Sequence, residues 1–219
     1  MPLVASMKER QILRISDGVP EVYADLGDLV QSEVNDMVVD AKGRAFVGGY
    51  DFDLFAGQKP LPAKIISVAN DGSSQIAAEG LAFPNGMVLM EDTNHLVVAE
   101  TLAHRLTKFD VNTDGTLTNR QLFAQFDELH PDGICLDQEG GIWVSSFSQG
   151  RFLRVLDGGE ITHQIDVPGR HAIACQLGGR DGKTLFCLTT EGSMAEIASY
   201  KSKSFIMTVE VEVAGAGSP

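Results

Sequence analysis

A unit that returns at a spacing of 40 to 50 residues limits this chain more than anything else in it. Asn35-Asp36-Met37-Val38-Val39-Asp40 leads into Arg44-Ala45-Phe46-Val47-Gly48. Asn85-Gly86-Met87-Val88-Leu89 leads into His95-Leu96-Val97-Val98-Ala99, and Asp132-Gly133-Ile134-Cys135-Leu136-Asp137 leads into Gly141-Ile142-Trp143-Val144-Ser145. A looser copy runs from Ala172-Ile173-Ala174-Cys175 to Thr184-Leu185-Phe186-Cys187-Leu188. Each of the first three copies is an amide or carboxylate residue, then Gly or Asp, an apolar strand, a turn and a second apolar strand; the fourth keeps only the two apolar strands and the turn. Repeats of this length holding several short strands are propeller blades. In a blade the innermost strand starts near the axis, so equivalent positions of successive blades face one another. Asn35, Asn85 and Asp132 are therefore expected to converge.

In chain order, Leu3 to Met7, Gln11 to Ser16 and Glu21 to Leu26 read as three strands with no inner strand before them. Three full units follow, beginning at Asn35, Asn85 and Asp132. The connection from Asp51 to Pro62 is long and carries Gly57, Pro60 and Pro62, which predicts a loop at the rim of the axis. The last unit has strands at Ala172 to Leu177, Thr184 to Thr190 and Phe205 to Val213, with a short surface helix predicted between Glu191 and Lys203 and a frayed tail at Gly215 to Pro219. The count is three complete blades flanked by two incomplete ones, about four and three-quarter blades in all. Unpaired edges at the two ends predict self-association.

Charge and composition exclude some partners. The chain has 17 basic and 30 acidic residues, a formal charge of −13, so a polyanion such as nucleic acid or an anionic membrane surface would be repelled. No apolar run reaches the length of a membrane span. Met1 to Lys8 carries no secretory signal. The three cysteines, Cys135, Cys175 and Cys187, lie in apolar strands without a metal-binding spacing, which points to reduced, buried thiols and a cytoplasmic protein. Asp110-Val111-Asn112-Thr113-Asp114-Gly115 imitates the start of an EF-hand loop, but the twelfth position is Gln121 and the flanks alternate as strands, so that reading is rejected. Trp143 is read as core.

Asn35, Asn85 and Asp132 offer hard oxygen donors, suited to Ca²⁺, Mg²⁺, Mn²⁺ or, with water, Zn²⁺. Asn or Asp at such positions also forms ordinary turns; recurrence at one register is what favours a site. A cation there would polarise a carbonyl oxygen, with Asp132 as general base. His130, beside Pro131, is a second candidate base.

The quoted Asn35 to Arg44 segment, Phe83-Pro84-Asn85-Gly86, and Pro131-Asp132-Gly133-Ile134-Cys135-Leu136-Asp137 with Gly141-Ile142-Trp143-Val144 resemble the senescence marker protein, gluconolactonase and luciferin-regenerating enzyme family, whose members include regucalcin-like proteins. Ala174-Cys175-Gln176-Leu177-Gly178-Gly179 extends the likeness toward the C-terminus. The resemblance implies a six-bladed all-β propeller and one divalent ion, calcium or zinc, held by a Glu, an Asn and an Asp. It maps the Asn to Asn85 and the Asp to Asp132, the proposed base of lactone hydrolysis, and places Asn35 in the metal and substrate site. Regucalcin-like members carry a substrate-contacting Arg two positions before this Asn; Glu33 stands there in this chain. The metal-binding Glu of the family lies in a Glu-Gly-Pro context that does not occur here. The expectation is thus one propeller domain over residues 1–219, N-terminally truncated by roughly one and a quarter blades of about 45 residues each. Two functions follow: a metal-dependent hydrolase of lactones or sugar-acid lactones, with phosphotriester hydrolysis as a lesser variant, or an inactive propeller fragment serving as scaffold or calcium-binding module.

Overall fold

The computed structural model describes residues 1–217. Its eighteen strands form five antiparallel sheets, each strand pairing with its neighbour in sequence. The first sheet is β1 (Leu3–Ser6), β2 (Gln11–Ser16) and β3 (Val19–Asp25). The second is β4 (Glu33–Val39), β5 (Ala45–Tyr50), β6 (Ala63–Val68) and β7 (Ser74–Leu81). The third is β8 (Pro84–Met90), β9 (His95–Glu100), β10 (Arg105–Val111) and β11 (Leu117–Gln125). The fourth is β12 (Pro131–Leu136), β13 (Ile142–Ser146), β14 (Arg151–Val155) and β15 (Ile161–Asp166). The fifth is β16 (His171–Gly178), β17 (Thr184–Glu191) and β18 (Lys203–Glu210), with helix α1 (Met194–Ala198) between the last two.

The sheets pack face to face, and each junction has its own apolar layer. Ile12, Leu26, Val34, Val47 and Ile66 fill the first junction; Phe46, Leu81, Leu89, Leu96 and Phe109 the second; Val97, Leu106, Phe123, Ile142 and Val155 the third; and Trp143, Phe152, Cys175, Leu185 and Cys187 the fourth. A strand between two such layers is buried on both faces, which is why β5 and β9 read as nearly continuous apolar runs rather than alternating ones.

The far ends of the inner strands are pinned by carboxylates. Asp40 Oδ1 accepts from the Lys42 and Arg44 N–H groups at 2.9 and 2.8 Å. Asp137 Oδ1 does the same for Glu139 and Gly141, both at 2.9 Å. This is the ordinary Asx turn, and in each case a neighbouring guanidinium, Arg44 or Arg154, balances the charge.

The architecture is a β-propeller of five sheets, so the estimate of four and three-quarter blades is corrected: both end sheets have three strands, and each still packs as a full layer. The first sheet lacks its inner strand, as expected. The Met7 carbonyl receives the Val34 N–H at 3.3 Å, so β1 runs toward the end where β4 begins and is the counterpart of β5. The tail is a second correction. Gly215 forms a bridge with Asp137, and the Ala216 N–H donates to the Leu136 carbonyl at 3.1 Å, so Ala214 to Ala216 is tied to the fourth sheet; Ser218 and Pro219 lie outside the described residues. The predicted surface helix is α1, opened by a capping box between Ser193 and Glu196. The cysteines are free and buried, and Trp143 is core.

Candidate functional site

The inner strands β4, β8 and β12 each carry a β-bulge at the same place. Pairing with the second strand slips between Val34 and Met37, between Pro84 and Met87, and between Pro131 and Ile134. An inserted residue breaks the alternation of side chains and re-aims them. The residues inside the three bulges are Asn35-Asp36, Asn85-Gly86 and Asp132-Gly133, so the recurring sequence motif is a recurring bulge. Two of these pairs need glycine: a Cβ on Gly86 would sit 2.6 Å from the Asp132 carbonyl oxygen, and one on Gly133 2.8 Å from the Ala174 Cα. The close approach of successive inner strands is what draws Asn85 and Asp132 together.

A chain of hydrogen bonds then crosses three sheets. Asn35 Nδ2 donates to Asn85 Oδ1 at 2.9 Å, Asn85 Nδ2 donates to Thr101 Oγ1 at 3.1 Å, and Thr101 Oγ1 donates to the Pro131 carbonyl at 2.7 Å. Asn85 is 5% exposed. Its amide orientation is fixed from both sides, NH₂ toward Thr101 and oxygen toward Asn35. Residues far apart in sequence thus share one end of the axis.

Asp132 follows Pro131 directly. Burial, then the negative charge of Asp36, push its carboxyl up to about 8, against the opposing pull of the Asn85 side chain and the Gly133 N–H. Burial also raises Asp36. Two carboxyls near each other in a low-dielectric place disfavour double ionisation.

Glu33 starts β4 two positions from Asn35 and accepts a 2.8 Å hydrogen bond from the Tyr50 hydroxyl. Burial first, then Glu33, raise the Tyr50 pKa, so Tyr50 stays a donor. Its ring packs on Phe52 and Phe83 with centroids 5.6 and 4.8 Å away. The structure therefore places Glu33 on a rigid aromatic support rather than in the Asn35–Asn85 chain. The Asp51 to Pro62 loop joins β5 to β6 at this same end. His130 is engaged elsewhere: its Nδ1 lies 2.8 Å from Ser148 Oγ and its ring meets His104 edge-on at 4.4 Å. Burial, then His104, lower its pKa.

Two solvent clefts, about 490 and 410 Å³, lie at the junction of the third and fourth sheets, around Asp127, Glu128 and Gln149. Neither is lined by Asn35, Asn85 or Asp132. Among the described residues no three His, Cys, Asp or Glu side chains converge as a metal cluster, so a cation at the axis must draw on amide oxygens. Two hard oxygen donors of the kind a divalent cation takes meet there, the Asp132 carboxylate and Asn85 Oδ1; Asn35 turns its Nδ2 toward that same Oδ1. Sequence reading missed Thr101 and Asp36. Nothing in the repeat marks Thr101; Asp36 was legible as the residue standing where the other two copies have glycine.

Fold and site together define a β-propeller whose inner-strand bulges bring amide and carboxylate oxygens to one end of its axis. The chain belongs to the SMP-30/Gluconolactonase/LRE-like family, whose model matches residues 2–191. It is 27% identical over 193 residues to a 6-deoxy-6-sulfogluconolactonase of Pseudomonas putida, covering 86% of this chain and 65% of that protein. It is 29% identical over 169 residues to the regucalcin of Danio rerio, covering 74% and 56%. The chain thus spans about three-fifths of the length of these two relatives. Among solved structures, luciferin-regenerating enzyme superposes with a TM-score of 0.80 at 18% identity, covering 99% of this chain and 76% of that one. The calcium-binding protein regucalcin from Agrobacterium tumefaciens gives 0.77 at 22%, covering 99% and 74%. No helix is long and apolar enough to cross a membrane among the described residues.

Proposed function

We propose that this chain carries the site of a metal-dependent lactone hydrolase, with Asn85, Asp132 and Asn35 as cation ligands, Asp132 as catalytic base, and Asn35 and Glu33 contacting substrate. The observation that carries the reading is the continuous chain from Asn35 through Asn85 and Thr101 to the residue preceding Asp132. The named lactonase and regucalcin relatives support the chemistry and the ion class, with calcium first and zinc, manganese or magnesium as the other candidates. A bound divalent ion would supply Lewis acidity toward the ester carbonyl oxygen. Asp132 has two carboxylate oxygens, so one can face the cation while the other accepts a proton from the attacking water. Water adds to the carbonyl carbon, the ring C–O bond breaks, and the proton passes to the leaving alkoxide, giving a hydroxy acid. Asn85 and Thr101 hold the geometry; Glu33, fixed by Tyr50, offers its free oxygen to substrate hydroxyls.

In this reading residues 1–219 form one domain of a six-bladed propeller type, in a cytoplasmic protein with reduced thiols and no nucleic-acid or membrane partner. Self-association runs through the free edges of β1 and β18. The second reading, a catalytically inactive scaffold or calcium-binding module, is favoured by one observation: the ligands named above include a single carboxylate. A panel of aldonolactones assayed with Ca²⁺, Mn²⁺ and Zn²⁺ tests the two. Turnover that EDTA removes and Asp132→Asn abolishes is expected; cation binding without turnover on any lactone assigns the second reading.

A further inference from the structure

The sequence marks His130 as a candidate base, and the axial site gives it no task. Its side chain meets a serine instead: His130 Nδ1 lies 2.8 Å from Ser148 Oγ, the separation of a nucleophile from its base. His130 stands just before β12, and Ser148 lies in the turn between β13 and β14. Three hydrogen bonds fix that turn. The Phe147 N–H donates to the His130 carbonyl at 3.1 Å, the Gly150 N–H to the Ser146 carbonyl at 3.1 Å, and the Val167 N–H to the Gly150 carbonyl at 2.8 Å. On the other side of the His130 ring His104 packs edge-on at 4.4 Å, itself held by its Nδ1, 2.9 Å from the Leu129 carbonyl. Ser148 is exposed and opens on a cleft of about 410 Å³ that it lines together with His104, His130 and Gln149. Among the described residues the N–H groups of Ser148 and Gln149 donate to no backbone carbonyl, which leaves two donors beside the hydroxyl.

We propose that Ser148 and His130 form a second, cation-independent hydrolytic site that acts on small carboxylic esters. Ser148 Oγ adds to the ester carbonyl carbon while its proton passes to His130 Nδ1, and the Ser148 and Gln149 N–H groups are the donors for the oxyanion. The C–O bond to the alcohol breaks and His130 returns the proton to that alcohol, leaving an acyl-serine. Water then adds to the acyl carbon and gives a proton to His130; the bond to Oγ breaks and Oγ takes that proton back. One ester and one water yield one acid and one alcohol. The neighbouring cleft of about 490 Å³ has Phe126, Leu129, Leu153 and Ile161 in its walls, which suits an apolar acyl chain. Asp127 and Glu128 line both clefts, and Arg151, also in the larger one, is paired with Asp166. That charge balance disfavours anionic substrates, so the class is an uncharged or cationic ester.

The test is labelling of the intact chain in EDTA with a fluorophosphonate, read by intact mass and peptide mapping, beside hydrolysis of p-nitrophenyl butyrate under the same conditions. The variants are Ser148→Ala and His130→Gln, each checked by circular dichroism, with Ser199→Ala as a control on another exposed serine. We expect one adduct per chain, on Ser148, and none in Ser148→Ala. Labelling and hydrolysis are expected to slow about a hundredfold or more in His130→Gln. Both rates are expected to be the same with calcium as with EDTA, which separates this site from the axial one. No adduct on wild-type Ser148, or a labelling rate that His130→Gln changes less than twofold, overturns the inference. Should His130→Gln lose its fold, Ser148→Ala decides: ester hydrolysis in EDTA that persists in this variant overturns the inference, and its loss supports it.

Discussion

Replacing Asp132 with asparagine is predicted to stabilise the chain when no cation is bound and to remove its stabilisation by calcium. In the cation-free chain the Asp132 carboxyl is pushed up to about 8 by burial and by Asp36, whereas an unfolded aspartate titrates near its ordinary value of about 3.9. A carboxyl raised in the folded state keeps its proton there after the unfolded chain has lost it. Stability is therefore fully present below about pH 4 and falls as pH climbs toward 8. At pH 7 the gap is about three pK units, a ceiling of about 4 kcal/mol. Solvent reaches the half-buried side chain, so about 2 kcal/mol is the expected figure. A neutral carboxamide at this position carries no such penalty. Urea unfolding in EDTA is expected to show Asp132→Asn more stable than wild type by about 2 kcal/mol at pH 7, and equal within about 0.5 kcal/mol at pH 4. With calcium at about a hundred times the dissociation constant the wild type gains about 2.7 kcal/mol and the variant nothing, so the order reverses. Equal effects of the substitution at both pH values, or a variant less stable than wild type at pH 7 in EDTA, would refute the electrostatic reasoning.

Two further outcomes follow from the geometry. Arg154 and Asp137 form a buried pair at 2.6 Å, so Arg154→Ala strands a carboxylate in the core and is expected to cost about 3 to 5 kcal/mol, read as a fall of roughly 10 °C in melting temperature. Thr101→Val removes the link between the Asn85 amide and the Pro131 carbonyl; a loss of about 1 to 3 kcal/mol together with weaker calcium binding is expected, and unchanged affinity would show that Thr101 does not orient Asn85.

Much of this was legible in the sequence, for a physical reason. Strands buried on both faces need apolar runs, and runs such as Leu96 to Ala99 and Ile142 to Val144 recur at a fixed spacing because each blade repeats the same packing problem. The repeat also exposed Asn35, Asn85 and Asp132 as equivalents, and the hydrogen bond between the first two accords with their meeting. What stayed hidden depends on contacts that no local pattern encodes. Asp36 was visible in the repeat as a departure from glycine, but composition cannot tell a bulge from regular strand, so nothing in the sequence marked the pair Asn35-Asp36 as a bulge. Thr101 matters only because a loop of the third sheet meets the start of the fourth. Gly215 and Ala216 read as tail because their partners, Asp137 and Leu136, lie far back along the chain. His130 was a candidate base on proximity in sequence, yet its ring is taken up by Ser148 and His104.

The most direct test of the central claim is a crystal of the chain soaked in MnCl₂ and measured for anomalous scattering. The account predicts one strong peak between the bulges of β4, β8 and β12, within about 2.5 Å of oxygens from Asn85 and Asp132. A peak confined to the cleft around His104 and His130, or Asn85 and Asp132 oxygens turned away from any shared ion, would contradict it.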